Sequence, residues 1–103
     1  WGNETTKALQ KALRTPVDGE IWGQYRTSTT KQITSGMKYG PAYTGSKVIK
    51  ALQKKIGAKA DGLLGKETVR ELQKYSGTPA DGELWKPSRV VKELQRRLNA
   101  GTF

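Results

Sequence analysis

The chain has 103 residues, 34% of them hydrophobic, which suits one small domain with a modest core. It contains neither cysteine nor histidine, so disulfides are excluded and nucleophilic triads and zinc sites lack their usual residues. Its net charge of +10 favours polyanionic partners, and no apolar run is long enough to predict a membrane span.

A repeated pattern of helix and turn signals runs along the chain. The pair Leu-Gln occurs four times, at Leu9, Leu52, Leu72 and Leu94. After the first three, an Asp-Gly pair follows at a constant distance, as Asp18-Gly19, Asp61-Gly62 and Asp81-Gly82. A degraded copy, TKQIT, places Ile33 in the Leu position. Degenerate repeats of this kind, ~20 residues long, predict a small helical repeat domain.

The predicted fold class is therefore all-α, at least mainly, with about five short helices joined by Asp-Gly turns. We expect one domain, residues 1–103, made of approximate units 5–23, 29–45, 46–65, 66–86 and 88–103. The second unit has lost its Asp-Gly pair, since Ala42, preceded by Pro41, stands where the Asp is expected.

Within the units, apolar residues recur at helical spacing and predict one buried face per helix. In the later units these residues are Val48, Leu52 and Ile56, then Val69, Leu72 and Tyr75, then Val91, Leu94 and Leu98. Residues that accept a left-handed conformation are expected to end these helices, namely Gly57, Gly77 and Asn99. The apolar residue three places after each Asp is expected to turn inward, namely Ile21, Leu64 and Leu84.

The Asp-Gly pairs could in principle carry chemistry instead of forming turns. A calcium loop needs six or more oxygen ligands, whereas DGLLGKET offers one Asp and one Glu. A glycosidase needs two carboxylates that face each other across a cleft, whereas these recur at equivalent positions of successive units. We therefore predict structural turns, with no catalytic residue, no metal site and no cofactor.

Residues 57–85, GAKADGLLGKETVRELQKYSGTPADGELW, carry a family resemblance. They resemble the peptidoglycan-binding repeat of bacterial wall hydrolases, whose pattern is roughly G-x-x-x-DG-x-x-G-x-x-T-x-x-x-L-Q. The whole chain is similar to the C-terminal cell-wall-binding domain of phage endolysins that act on Gram-positive bacteria. It departs from the pattern in residues 33–45 and at Lys86-Pro87, where Gly is expected.

The resemblance implies a non-catalytic domain that binds peptidoglycan through glycan, stem peptide or cross-bridge, and teichoic acid as a further ligand. It also implies a covalently linked catalytic domain, so that the parent protein is a peptidoglycan hydrolase. The parent would be phage-encoded, made in the host bacterial cytoplasm and active at the cell wall. The chain begins at Trp1 without an initiator Met, from which we expect a fragment of a longer protein.

Exposed aromatic rings can stack on sugar C–H faces or peptide methyl groups, and Lys or Arg can bind carboxylates or phosphodiesters. Trp22 and Trp85 occupy equivalent places after their turns, and packing in the core is the alternative role for each. Further candidates lie in the irregular first half, where loops tend to carry function. The predicted wall-binding residues are Trp22, Trp85, Tyr25, Arg26, Lys38, Tyr39 and Tyr43.

Two other functions remain open at the level of sequence. A pI near 10.0 with interleaved aromatic residues also suits a basic nucleic-acid-binding domain, but no nucleic-acid motif is present and the basic residues form no concentrated stripe. A helical repeat that docks another protein is the second alternative. Nucleic acid is therefore an unlikely partner.

Overall fold

A computed structural model describes residues 1–33, 35–40, 44–84 and 88–103. The fold is mainly helical and includes a small two-stranded sheet. Its elements in chain order are α1 (Asn3–Ala12), β1 (Ile21–Gln24), a 3-10 helix (Thr30–Gln32), β2 (Met37–Tyr39), α2 (Lys47–Ile56), α3 (Lys66–Ser76) and α4 (Arg89–Ala100). In the described part of the chain, no helix is long and apolar enough to cross a membrane.

The expected five helices are not confirmed, because the described residues form four α-helices and the predicted second unit, 29–45, contains none of them. That unit instead holds the short 3-10 helix and β2, which pairs in parallel with β1. Gly36 and Gly45 have φ angles of 81° and 85°, which an α-helix does not contain. These glycines explain why the segment extends and turns instead of continuing as a helix.

Glycines mark the C-terminal ends of three helices. Gly57 and Gly77 adopt the left-handed conformation directly after α2 and α3, as predicted. Asn99 was the wrong residue for the end of α4, since the helix continues to Ala100 and Gly101 closes it with φ 70°. Glycine takes this conformation without steric cost, so the helix runs on to the nearest one.

The core lies between the helices and β1. Leu9, Leu52, Leu72 and Leu94, the leucines of the four Leu-Gln pairs, are at most 1% exposed. The inward-facing residues after the turns, Ile21, Leu64 and Leu84, are buried as predicted. Tyr75 is the exception among the predicted helix faces, since it is exposed and packs edge-on against the ring of Phe103.

In three units the glutamine of the Leu-Gln pair holds the Asp-Gly turn that follows it. Gln53 Nε2 donates to Asp61 Oδ1 at 3.0 Å, and the Gly62 backbone N–H donates to Gln53 Oε1 at 2.8 Å. The same two bonds link Gln10 to Asp18 and Gly19, and Gln73 to Asp81 and Gly82. The spacing of Leu-Gln and Asp-Gly along the chain is therefore the spacing of one hydrogen-bonded unit.

Two further glutamines tie the non-helical segment to later turns. Gln24 is fully buried, donates from Nε2 to the Gly62 carbonyl at 2.7 Å and accepts from the Leu64 N–H at 2.7 Å. Gln32 donates to Glu83 Oε2 and accepts from the Leu84 N–H. Each amide satisfies a backbone N–H that would otherwise be buried without a partner.

Three glycines let separate backbones meet at one junction, formed by Gly23, Gly45 and Gly62. Gly45 N–H donates to the Gly23 carbonyl at 3.2 Å, and the next residue, Ser46, donates to the Gly62 carbonyl at 2.9 Å. A Cβ on Gly23 would lie 2.7 Å from Gly45 N, and one on Gly45 would lie 2.7 Å from the Asp61 carbonyl oxygen. This glycine junction therefore fixes β1 against the start of α2 and the Asp61 turn.

Candidate functional site

Trp22 projects from β1 on the solvent side, although it follows the buried Ile21. Its side chain is 52% exposed, because neighbouring residues of a strand point to opposite faces. Lys38, in the middle of β2, places its Nζ 5.9 Å from the centre of the indole ring. Lys38 Nζ also lies 3.3 Å from Glu20 Oε2, an ion pair that holds the lysine beside the ring. The parallel pairing of β1 and β2 brings these three side chains together.

A second cation and ring meet at the next position of β2. Arg26 Cζ lies 4.1 Å above the centre of the Tyr39 ring, and the Tyr39 side chain is partly buried. Because Lys38 and Tyr39 are neighbours in the strand, the two contacts lie on opposite faces of β2. Tyr25 follows β1 and is 49% exposed. The sheet thus gathers five of the predicted residues but divides them between two sides.

A groove of about 240 Å³ lies beside Trp22. One wall comes from the first Asp-Gly turn and includes Pro16, Asp18 and Glu20. The other wall is the chain just before and at the start of α2, residues 45–48. Trp22 lines this groove, so its exposed ring and the groove form one continuous surface, called here the Trp22 site.

Hydrogen bonds lower the pKa of the turn carboxylates. The Glu20 N–H donates to Asp18 Oδ1 at 2.9 Å and, with the Gln10 amide, holds the Asp18 pKa below its usual range. The Glu83 N–H lowers the pKa of Asp81 in the same way, assisted by Gln73. At Asp61, burial works to raise the pKa, but the Leu63 N–H and the Gln53 amide outweigh it and the pKa is lowered.

These pKa shifts predict a loss of stability in acid. A carboxyl whose pKa is lower in the folded state stabilises the protein above its unfolded pKa, about 4 for Asp, and that contribution is lost as the pH falls through the folded value. We expect the urea midpoint to be level near neutral pH and to fall below about pH 4. Glu93, whose pKa is lowered to about 2 by Arg96 and Arg97, adds to the same decline.

The control is the combined variant Asp18→Asn, Asp61→Asn and Asp81→Asn. It should be less stable than the parent at neutral pH and lose less of its urea midpoint on acidification, with Glu93 accounting for much of the remaining slope. An unchanged pH dependence in this variant would contradict the role given to the turn carboxylates.

Two predicted wall-binding residues, Trp85 and Tyr43, lie outside the described residues. The repeated glutamines, and the residues that line the groove other than Trp22, were not among the predicted wall-binding residues. A signal for the groove was present, since TPVDGEIW at residues 15–22 and TPADGELW at 78–85 are nearly the same. Trp22 was singled out from that pattern, whereas the Pro and Glu beside it were not.

Among the residues that the structure describes, no group of three or more Asp and Glu side chains is arranged to hold a metal ion. Comparison of the chain with protein-family models, with curated proteins and with solved structures finds no match. The residues and their geometry are therefore the basis for any functional assignment.

Proposed function

We propose that this chain is a non-catalytic domain that binds bacterial peptidoglycan and holds a separate lytic domain at its substrate. The observation that carries the proposal is the Trp22 site, where a half-exposed indole ring stands beside a lysine and a groove. A large exposed ring on a short, well-anchored strand is typical of recognition surfaces, because its contact area needs little ordering on binding.

The chemistry of the site suits a wall polymer. The indole face can stack on the C–H face of a sugar or on a peptide methyl group. Lys38 is exposed and can bind a carboxylate or phosphate while remaining near Glu20. A ligand that combines apolar faces with anionic groups would use both side chains at once.

Repetition adds to the proposal. In this hypothesis the domain spans residues 1–103 and is built of degenerate helix-turn units, more than one of which offers a binding surface. Individual affinities on the order of mM can give firm attachment when several sites meet neighbouring parts of one polymer. An insoluble, repetitive wall therefore favours a domain that has more than one weak site.

We propose a phage-encoded hydrolase, an endolysin, that is made in the host cytoplasm and acts at the wall of a Gram-positive bacterium. The covalently linked catalytic domain would cleave the wall, and this domain would keep it bound to the substrate.

The test is co-sedimentation with purified Gram-positive walls. We expect most of the protein in the pellet at 150 mM salt, a condition that screens nonspecific attraction by the net charge of +10. Walls stripped of teichoic acid separate the ligands, since retained binding points to glycan or peptide and lost binding points to the polyanion. Protein that stays in the supernatant, yet binds DNA with a steep salt dependence, would overturn the proposal in favour of nucleic-acid binding.

A further inference from the structure

A second groove repeats the first one in the other half of the chain. Its volume is about 260 Å³, and its first wall comes from the third Asp-Gly turn, with Pro79, Asp81 and Glu83. Its second wall is residues 88–90 at the start of α4. The groove beside Trp22 is called groove 1 below, and this one groove 2.

Seven of the residues that line groove 1 have counterparts at equivalent positions that line groove 2, whereas Thr15, Trp22 and Gly45 have no described counterpart in the lining of groove 2. The turns share the sequence TP-x-DGE, at residues 15–20 and 78–83, and each carries a clamping glutamine, Gln10 or Gln73, that also lines the groove. The helix starts share Ser, a basic residue and Val, at residues 46–48 and 88–90. The helices that follow, α2 and α4, are alike in sequence as well. One arrangement is therefore built twice from separate parts of the chain.

The middle turn, at Asp61, does not repeat this arrangement. Leu63 stands in the place of Glu20 and Glu83, and the start of α3 reads Gly65, Lys66, Glu67, which keeps the base but lacks the Ser and the Val. The cavity beside it is lined by Asp61, Lys66 and Glu67 as well as by apolar residues, but neither the clamping Gln53 nor a proline lines it, since Lys59 stands in the place of Pro16 and Pro79. The grooves are thus a feature of two turns and not a by-product of every Asp-Gly turn.

Each groove has an acidic wall and a basic wall. Asp18, Glu20, Asp81 and Glu83 make up four of the nine acidic residues of the chain, although its net charge is +10. Asp18 and Asp81 use Oδ1 for the turn, and Oδ2 accepts no hydrogen bond from the described residues. Glu20 is paired with Lys38, and Glu83 with Lys66 and Gln32, so Asp18 and Asp81 supply the unpaired carboxylate oxygens. These oxygens oppose a bound polyanion and favour a ligand that carries an ammonium group.

The basic wall of each groove favours a ligand that carries a negative charge. Lys47 and Arg89 are the first residues of α2 and α4, and neither forms an ion pair with any described residue. A carboxylate can bind to these cations while an ammonium group binds to the carboxylates opposite. Volumes of about 240 and 260 Å³ are below the roughly 300–1,000 Å³ of pockets for drug-sized ligands, which suits a short stretch of peptide.

We propose that grooves 1 and 2 are two equivalent sites for a short wall peptide that carries both a free ammonium and a free carboxylate group. This inference rests on the proposed wall binding and names the stem peptide, not the glycan or teichoic acid, as the ligand of the grooves. The two sites bind independently, and together they account for attachment to a wall whose peptides recur along every strand.

The first experiment titrates the full chain, ¹⁵N-labelled, with the synthetic tetrapeptide L-alanyl-D-isoglutaminyl-L-lysyl-D-alanine, whose amino terminus is blocked as the lactyl amide so that the lysine side chain carries its one ammonium group. The backbone amides of Val48 and Val90 should shift together with a Kd on the order of mM, whereas that of Val69 in α3 should not move. Acetylation of the lysine side chain, or amidation of the C-terminal carboxylate, should weaken binding at least tenfold. Equal shifts from the acetylated peptide, or shifts produced by soluble glycerol-phosphate polymer instead, would overturn the proposal.

The second experiment compares two double variants with the same change in charge. Lys47→Ala with Arg89→Ala removes the basic walls and should weaken tetrapeptide binding at least tenfold. Lys50→Ala with Lys92→Ala removes one positive charge from the next turn of each helix and should leave binding within twofold of the parent. Equal losses in both variants would show that the overall charge, and not the grooves, attracts the peptide.

Single variants test the equivalence of the grooves. Lys47→Ala should abolish the shift at Val48 and leave that at Val90, and Arg89→Ala should do the reverse. Wall sedimentation by the parent chain separates the two levels of inference. A chain that sediments with walls but ignores the tetrapeptide disproves the peptide sites alone, whereas a chain that does neither disproves the proposed function as well.

Discussion

Replacing Gln53 with alanine is expected to lower the free energy of unfolding by about 3 kcal/mol. Gln53 is fully buried, and its Nε2 shares two hydrogens among three acceptors, namely Asp61 Oδ1, the Leu63 carbonyl and the Thr68 hydroxyl. Its loss also leaves the buried Gly62 N–H without its acceptor. An unpartnered buried donor costs about 1–3 kcal/mol, and the space left by the amide adds to that. Urea unfolding of the two proteins measures the difference.

The chain provides a matched control in Gln95, which has the same place after Leu94 in α4. No Asp-Gly turn follows it, its side chain is exposed, and Nε2 donates to Thr5 Oγ1 at 2.8 Å. Gln95→Ala is expected to cost less than about 1 kcal/mol. Similar losses in the two variants would mean that the stability is lost through the helix that carries the glutamine, α2 or α4, and not through the hydrogen bonds to the Asp-Gly turn.

Replacing Trp22 with alanine is expected to weaken sedimentation with walls about tenfold, which corresponds to about 1.4 kcal/mol of binding free energy. The indole is the largest exposed ring among the described residues of the β1–β2 region, and both Lys38 and groove 1 depend on it for a continuous surface. Binding isotherms on purified walls measure the change. The Trp22→Phe variant retains a ring and should recover part of the affinity.

The control for Trp22 is Tyr75→Ala, which removes an exposed aromatic ring of α3 whose contacts are Phe103 and Arg97. This variant should bind walls within twofold of the parent. Far-ultraviolet circular dichroism and a thermal melt should show a helical, cooperative fold for Trp22→Ala, because the ring is half exposed. A loss of helix content would assign Trp22 to the core and remove it from the binding surface.

The helices could be predicted from the sequence because their signals are local. Gly57 and Gly77 each follow an apolar face at helical spacing, and the structure ends α2 and α3 at those glycines. The burial of Ile21, Leu64 and Leu84 could be predicted for the same reason, since a turn fixes which residue after it faces inward. Asn99 and Gly101 are both residues that can end a helix, and α4 ends at Gly101 because glycine adopts the left-handed conformation at the lower steric cost.

The sheet could not be predicted, because its causes are distant in sequence. β1 is four residues long, too short for alternation to be distinctive, and it pairs with β2 across the degraded unit. The conformation of Gly23 and the amide of Gln24 matter through their contacts with Gly45, Gly62 and Leu64. Such contacts have no signature within a short window of sequence.

The candidate site also has parts that the sequence could predict and parts that it could not. The equivalent places of Trp22 and Trp85 in the repeat left both binding and packing open for these residues, and Trp22 is half exposed in the structure. The contact of Lys38 with Trp22 depends on the parallel pairing of β1 and β2, so sequence alone placed both residues in one region without joining them. The second groove appears when both turns are compared in three dimensions.

The glycine junction has a consequence for how the ligand preference of the domain can change. Gly23, Gly45 and Gly62 join β1 to the rest of the molecule through main-chain atoms, and a side chain at Gly23 or Gly45 would collide with another backbone. The neighbouring Trp22 and Lys38 take no part in that attachment. Under the proposed function, replacement of Trp22 or Lys38 would therefore change the ligand preference of the surface while β1 keeps its place.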